Sequence, residues 1–400
     1  MKRPADAPAL PLVSLPMGAL LVAQFLSALA DNALLVAAIA LVRSQGLHSL
    51  VPTLQEFFVL PFVLLAPFVG AIADAWPKGR VMFVANGLKC IGAALMMGGL
   101  NPLLAYGLVG VGAAAYSPAK YGILTQMFGH AQLVRANGAL EGSTIAAILL
   151  GVLLGGHLAD VSLTYAFSAV MGCYLAAAAA NLLVPRLAAE RPLGGVAVVG
   201  LLKRFVTATL QLLRDRDARF SLVGTSLFWG SGTTLRLLLF AWVPLALGVT
   251  DNQTPANLMG VVSIGIVLGA ASAGAFVSLD KVNRALGAGL LLGPLIAALS
   301  QVHSLNAAAL LLCAVGFCGG FFVVPLNALL QERGHVLVGA GQALAVQNFA
   351  ENLFMLAFVG LYGAATARGV PADTAALGFG AALLLALALL TAARIARARR

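Results

Sequence analysis

Apolar stretches 18 to 30 residues long recur along the whole of this 400-residue chain, and no other feature constrains its fold as much. A helix needs about 20 residues to cross the roughly 30 Å hydrocarbon core of a bilayer, whereas a barrel strand needs only about 9–11. Inside that core every backbone N–H and C=O must be paired within a helix or around a closed barrel. Stretches of this length therefore predict an all-α polytopic bundle and exclude a barrel. The composition agrees, with 61% hydrophobic and 10% charged residues, against about 25% charged in an average soluble domain.

Cutting at charges, Gly/Pro and polar clusters gives twelve predicted spans, at 16–42, 53–75, 80–99, 102–127, 133–159, 163–184, 217–248, 256–279, 284–301, 304–330, 337–366 and 373–394. The first holds Ala28-Leu29-Ala30 before Asp31 which, after Lys2 and Arg3, has the form of a signal-peptidase site. The apolar run continues eleven residues past Asp31 to Val42, longer than a cleavable segment needs. The segment is therefore predicted to be retained, with Asp31 inside a span. With both termini cytoplasmic, inside segments carry nineteen Lys and Arg, including Lys78, Arg80, Arg135 and Arg333; outside segments carry only Arg43 and Arg368. That positive-inside bias sets the orientation and accounts for the net charge of +10 without a nucleic-acid partner.

One long polar interruption, 185–216, divides the chain into an N-terminal tail (1–15), a six-span half (16–184), a cytoplasmic linker (185–216), a second six-span half (217–394) and a basic tail (395–400). The halves echo each other. Gly112-x5-Pro118 matches Gly319-x5-Pro325 at an offset of 207, and Asp74 matches Asp280 at 206. The loop "GAIADAWPKGR", with Gly70, Asp74, Gly79 and Arg80, resembles the G-x-x-x-D-x-x-G-R loop of the major facilitator superfamily, with an insertion around Trp76-Pro77. That resemblance implies the superfamily fold, two pseudo-symmetric six-helix halves with a site between them near mid-membrane. Cys90, Cys173, Cys313 and Cys318 lie in apolar runs without metal-ligand spacing, and Gly151-xxx-Gly155 reads as a helix-packing face. No metal or cofactor is expected.

A charge at the centre of a membrane helix costs about 2.5–3.5 kcal/mol on insertion scales and needs a partner or a polar cavity. Six such residues occur: Asp31, Lys89, Lys120, Glu141, Arg236 and Glu351. At about 100° per residue, polar stripes form from Gln24, Ser27 and Asp31 (with Asn32 adjacent), from Tyr116 and Lys120, from Asn137, Glu141 and Thr144, from Thr225, Trp229, Thr233 and Arg236, and from Gln347 and Glu351. Depth separates Asp31, Arg236 and Glu351, near mid-membrane, from Lys120 and Glu141, nearer the cytoplasm. The first group is expected to bind a zwitterionic head group, Arg236 on phosphate and Asp31 or Glu351 on ammonium, with Arg236 facing Asp31. Lys120 and Glu141 read either as an inner-gate salt bridge or as ligand contacts. Lys89 reads as a lysine snorkelling from a helix end.

The stretches "AQFLSALADNALL" (23–35), "FVANGLK" (83–89), "VGVGAAAYSPAKYGIL" (109–124), "RFSLVGTSLFWGSGTTLR" (219–236), "GGFFVVPLNALLQERG" (319–334) and "AVQNFAENL" (345–353) resemble the bacterial lysophospholipid transporter (LplT) family over nearly all of the chain. The resemblance implies flipping of lysophospholipids, chiefly lysophosphatidylethanolamine, from the outer to the cytoplasmic leaflet of the bacterial inner membrane. It also implies a cytoplasmic acyl-ACP synthetase/acyltransferase partner that reacylates them. No GxxxxGK[ST] loop, G-x-S-x-G elbow, H-x-x-x-x-D pair or metal-spaced histidine cluster occurs, which argues against ATP use and against an enzyme. The rival expectation is a proton-coupled transporter of small amphiphilic cations.

Overall fold

A computed structural model describes residues 11–46, 51–190, 198–249 and 253–396, and among them every regular element is helical. Most of the N-terminal tail, the linker stretch 191–197 and the end of the basic tail, with Lys2, Arg3, Arg397, Arg399 and Arg400, lie outside the described residues. In order the helices are α1 (Leu15–Ser44), α2 (Val51–Leu64), α3 (Ala66–Ala75), α4 (Lys78–Met97), α5 (Pro102–Met127), α6 (His130–Val161) and α7 (Leu163–Leu182). Then come α8 (Val198–Arg214), α9 (Arg216–Leu247), α10 (Gln253–Phe276), α11 (Leu286–Ala298), α12 (Leu305–Leu337), α13 (Ala340–Ala367) and α14 (Ala372–Ala396).

Each predicted span has a helical counterpart, and the departures have local causes. The span at 53–75 is broken into α2 and α3 with a 61° bend. Pro61 lies inside α2 and Pro67 opens α3, so the backbone loses donors and meets ring clashes on both sides of Leu65. Among the described residues ten helices are long and apolar enough to cross a membrane, eleven counting the bent pair. The twelfth, α5, has 26 residues and is mostly buried, with Tyr116, Lys120 and Thr125 among its buried residues. Other helices shield it from lipid, so it needs less hydropathy than they do.

Polar side chains fix several helix starts: Asn101 accepts from the N–H of Leu103, Asp215 from those of Asp217 and Ala218, and Ser304 from that of Ala307. The linker is more ordered than its polarity suggested. Residues 198–214 form α8, which buries Phe205, Ala208 and Leu212 at helical spacing against α3, α9, α12 and α13.

Small residues let backbones touch. A Cβ on Gly151 would stand 2.5 Å from Leu29 O and one on Gly155 2.6 Å from Ala33 Cα, so the small-residue face of α6 is the seat of α1. Two seams join the halves. On one, α6 meets α10, where a Cβ on Gly138 would lie 2.9 Å from Ala270 O. On the other, α3 meets α13 through Gly70 and Gly341, whose added Cβ atoms would each fall 2.7 Å from an atom of the other helix.

Candidate functional site

Between the halves lies a cavity of ≈ 370 Å3 walled by α1, α2, α4, α5, α6, α9, α12 and α13, within the about 300–1,000 Å3 range of small-molecule sites. Gln24, Asp31, Asn32, Tyr116, Lys120, Glu141, Gln347 and Glu351 all line it, as does Lys89, whereas Arg236 does not. Phe58, Phe62, Ile148, Trp229 and Met355 supply its apolar wall.

Asp31 does not face Arg236. Its Oδ2 lies 2.7 Å from Lys89 Nζ, and its Oδ1 accepts from Tyr174 OH at 2.8 Å. Lys89 also donates to Ser27 Oγ at 3.0 Å, Ser27 Oγ donates to Asn86 Oδ1 at 2.7 Å, and the ammonium sits 5.0 Å from the Tyr116 ring centroid and 5.8 Å from that of Tyr174. The lysine side chain is 1% exposed, so the snorkelling expectation is overturned. Lys89 turns into the bundle rather than out to its end, and Asp31 on α1 and two aromatic faces stabilise it in place. Arg236 shares a face of α9 with Trp229 but stands seven residues, roughly 10 Å, further along. It is exposed and has no ion-pair partner among the described residues.

A second polar layer lies toward the α3–α4 turn. Glu141 accepts from Tyr121 OH at 2.5 Å and from Asn327 Nδ2 at 3.2 Å, and Gln347 Nε2 donates to Asn327 Oδ1 at 2.8 Å and to Glu351 Oε1 at 2.7 Å. Lys120 forms no salt bridge with Glu141. Its ammonium rests 4.5 Å from the Tyr121 ring centroid and has no carboxylate within 4.0 Å among the described residues. Asn32 donates to Ala28 O of its own helix and Gln24 to Thr144 Oγ1, each at 2.8 Å. One turn beyond Glu141, Asn137 and Gln331 exchange two amide hydrogen bonds, at 2.9 and 2.6 Å, with both side chains fully buried. That pair closes the bundle across the halves.

The end of the bundle is sealed by Asp74. Its carboxylate accepts from the backbone N–H groups of Gly341 at 2.6 Å and Gln342 at 3.0 Å, capping the first turn of α13 from the other half. Lys78 bridges Asp74 at 3.7 Å to Glu190 at 2.8 Å, and Glu190 is met by His335 at 3.2 Å and by Ala340 N–H at 3.2 Å. The cation of this latch is thus Lys78, and Arg80 is exposed. Gly79 makes only ordinary contact with α7. Asp280, the repeat partner of Asp74, is 78% exposed and pairs at 3.1 Å with His130, the first residue of α6. The latch on that seam is a surface contact. Burial pushes the Glu190 carboxyl up, but His335 and Lys78 outweigh it and hold the group at about 2. A depressed carboxylate contributes above its usual range and loses that contribution as pH falls through its lowered value. Glu190 therefore keeps its own charge, and with it its contacts to Lys78 and His335, across the physiological range. Asp74→Ala is expected to raise the reactivity of a cysteine placed at buried Ala340 toward an impermeant thiol reagent by roughly tenfold or more, from charge-assisted bonds worth about 1.5–3 kcal/mol. Unchanged reactivity would rule out the latch.

Residues 20–359 match the Major Facilitator Superfamily. The chain belongs to that superfamily. Within it, the chain is a member of the LplT family. It is 52% identical over 372 residues to the lysophospholipid transporter LplT of Escherichia coli (strain K12 / DH10B) and to that of Shigella boydii serotype 4 (strain Sb227), covering 93% of this chain and 94% of each relative. Solved structures share the fold at low identity. The human organic anion transporter MFSD10 (TETRAN) matches with TM-score 0.75 at 16% identity, over 94% of this chain and 100% of that one. A bacterial homologue of the iron transporter ferroportin in an outward-facing state matches with TM-score 0.71 at 15% identity, over 97% and 100%.

In this LplT-family chain, helical periodicity located the cavity residues but missed four that position them: Tyr174, Asn86, Tyr121 and Asn327. The predicted span 163–184 carries no polar stripe to mark Tyr174, yet α7 packs on α1 and α4 and buries this residue completely. Tyr121 was legible as the neighbour of Lys120. Glu190 lay in the linker with no periodic signal.

Proposed function

We propose that the protein carries lysophospholipids, lysophosphatidylethanolamine foremost, from the outer to the cytoplasmic leaflet of a bacterial inner membrane, with both termini and the Asp74 latch on the cytoplasmic side. The lipid leaves chemically unchanged, and a cytoplasmic acyl-ACP synthetase/acyltransferase reacylates it. Membership of the LplT family and the nineteen-to-two distribution of Lys and Arg support this reading. The observation that carries it is Lys120, an ammonium lining the cavity with no carboxylate within 4.0 Å among the described residues, a fitting contact for a phosphate.

The charges suggest an exchange. Asp31, Glu141 and Glu351 stand against Lys89 and Lys120 in the cavity wall, so a zwitterion finds both signs. Its phosphate engages Lys120 and, as the internal pair loosens, Lys89; its ammonium engages Glu351 and Asp31. Trading one ion pair for two contacts of like kind avoids leaving a charge bare during transit. The single acyl chain lies along Phe58, Phe62, Ile148 and Met355. Lipid enters from the end away from the latch, between the outer parts of the two seams, and release requires the Asp74 cap on α13 to open.

The excess of carboxylates also suits an amphiphilic cation, so the deciding assay offers both. Purified protein in liposomes is given labelled lysophosphatidylethanolamine, a diacyl phospholipid and a cationic drug, with substrate-dependent proton movement recorded. Movement of the lysophospholipid alone is the expected result. Movement of the drug alone, coupled to protons, would overturn the reading.

A further inference from the structure

A second cavity, of ≈ 310 Å3, opens where the first turns of α9 meet the last turn of α14 and the 3-10 turn Leu279–Ala285. It shares no residue with the cavity between the halves. Three guanidiniums, from Arg216, Arg219 and Arg394, line it against one carboxylate, Asp217. That carboxylate is engaged by Arg394 at 2.8 Å. Arg216 and Arg219 have no carboxylate within 4.0 Å among the described residues. Arg394 is held in place: its guanidinium lies 4.3 Å from the Phe220 ring centroid and donates to Asn283 Oδ1 at 2.7 Å.

The surroundings set the depth of this pocket relative to the bilayer. Helix α8 turns Phe205, Ala208 and Leu212 onto the protein and leaves Leu202, Val206 and Leu210 exposed at 43%, 56% and 48%. Those three follow helical spacing on a neighbouring face, beside a polar face carrying Lys203 and Arg214. A helix with one face on protein, one apolar and one cationic lies at a membrane interface. Arg219 Nη1 donates to Leu213 O at 3.5 Å, tying the pocket to the end of that helix, and Leu385 and Leu389 of α14, each 62% exposed, continue the apolar surface. The pocket therefore opens at the level of lipid head groups.

We propose that this pocket holds the head group of an anionic phospholipid as a resident lipid, distinct from the transported one. Guanidinium forks match phosphate oxygens, basic pockets between spans suit acidic head groups, and the half-buried Leu390 in the wall receives the start of an acyl chain. Inorganic phosphate shares the charge but has nothing to place on that apolar wall. The occupant joins α9 to α14 at one end of the second half. The site stands whatever the identity of the transported lipid.

The test uses purified full-length protein in phosphatidylcholine nanodiscs doped with increasing phosphatidylglycerol, with bound lipid counted by native mass spectrometry and inorganic phosphate offered separately. Saturable binding of phosphatidylglycerol and none of phosphate is expected. Arg216→Gln with Arg219→Gln is expected to weaken it by about 30-fold, from two charges near a lipid surface, while Lys at both positions retains most of it. Size-exclusion chromatography verifies folding; were the double variant to aggregate, Arg216→Gln alone, at an exposed side chain, carries the test. Unchanged phosphatidylglycerol binding in the Gln variant, or phosphate binding as tight as the lipid, would overturn the proposal.

Discussion

Asp31→Ala is expected to abolish transport and to lower stability by about 3–5 kcal/mol, the cost of leaving a buried charge without its partner. Lys89 is 1% exposed and its only carboxylate within 4.0 Å among the described residues is Asp31; Ser27 and two tyrosine rings remain as its company. Removing the lysine alone strands the carboxylate less severely, because Asp31 is 19% exposed to the cavity and keeps the Tyr174 hydroxyl. The neutral double variant, Asp31→Asn with Lys89→Met, separates structure from function. It should recover the thermal midpoint and the folded yield, since a buried ion pair can be replaced at little net cost. It should not recover movement of labelled lysophosphatidylethanolamine. Wild-type transport by that double variant would reduce the pair to a packing device and remove the exchange step.

Lys120→Gln is expected to raise the half-saturating lysophospholipid concentration by roughly 10- to 150-fold, the equivalent of a hydrogen bond to a charged group worth about 1.5–3 kcal/mol. No ion pair within 4.0 Å is lost among the described residues, where Lys120 rests on the Tyr121 ring, so the folded yield should change little. The comparison is Arg236→Ala, which removes an exposed cation about two helical turns outside the cavity wall. Transport measured for both variants over a range of lipid concentrations decides between them. A larger affinity loss at Arg236 than at Lys120 would return the phosphate to Arg236 and overturn the phosphate-binding role of Lys120.

The candidate site was legible in the sequence because one-sided polarity is a property of a single helix. Gln24 and Asp31, Tyr116 and Lys120, and Gln347 and Glu351 sit at helical spacing in otherwise apolar runs, and each of these residues lines the same cavity. Partners across helices were not legible. Arg236 and Lys89 are each a lone cation in an apolar run, and nothing in their own helices distinguishes a cation that meets Asp31 from one that does not. Helix α4 approaches α1 and α7 closely enough to bring Lys89 to Asp31, whereas α9 belongs to the other half and the cavity lies between them. The loop motif shows the same limit. Asp74 stood out, but the partners of its latch, the start of α13 and Glu190, are more than a hundred residues away in sequence.

The sequence by itself determined that this chain is a helical membrane bundle of two repeated halves, because spanning length, hydropathy and the 3.6-residue period are written along the chain and the bilayer leaves few alternatives. It also determined which face of each lining helix is polar. Tertiary structure alone decided which buried charges neutralise one another and which remain free for a ligand. A buried charge is stable only beside a partner a few ångströms away, and that distance is set by how helices remote in sequence pack.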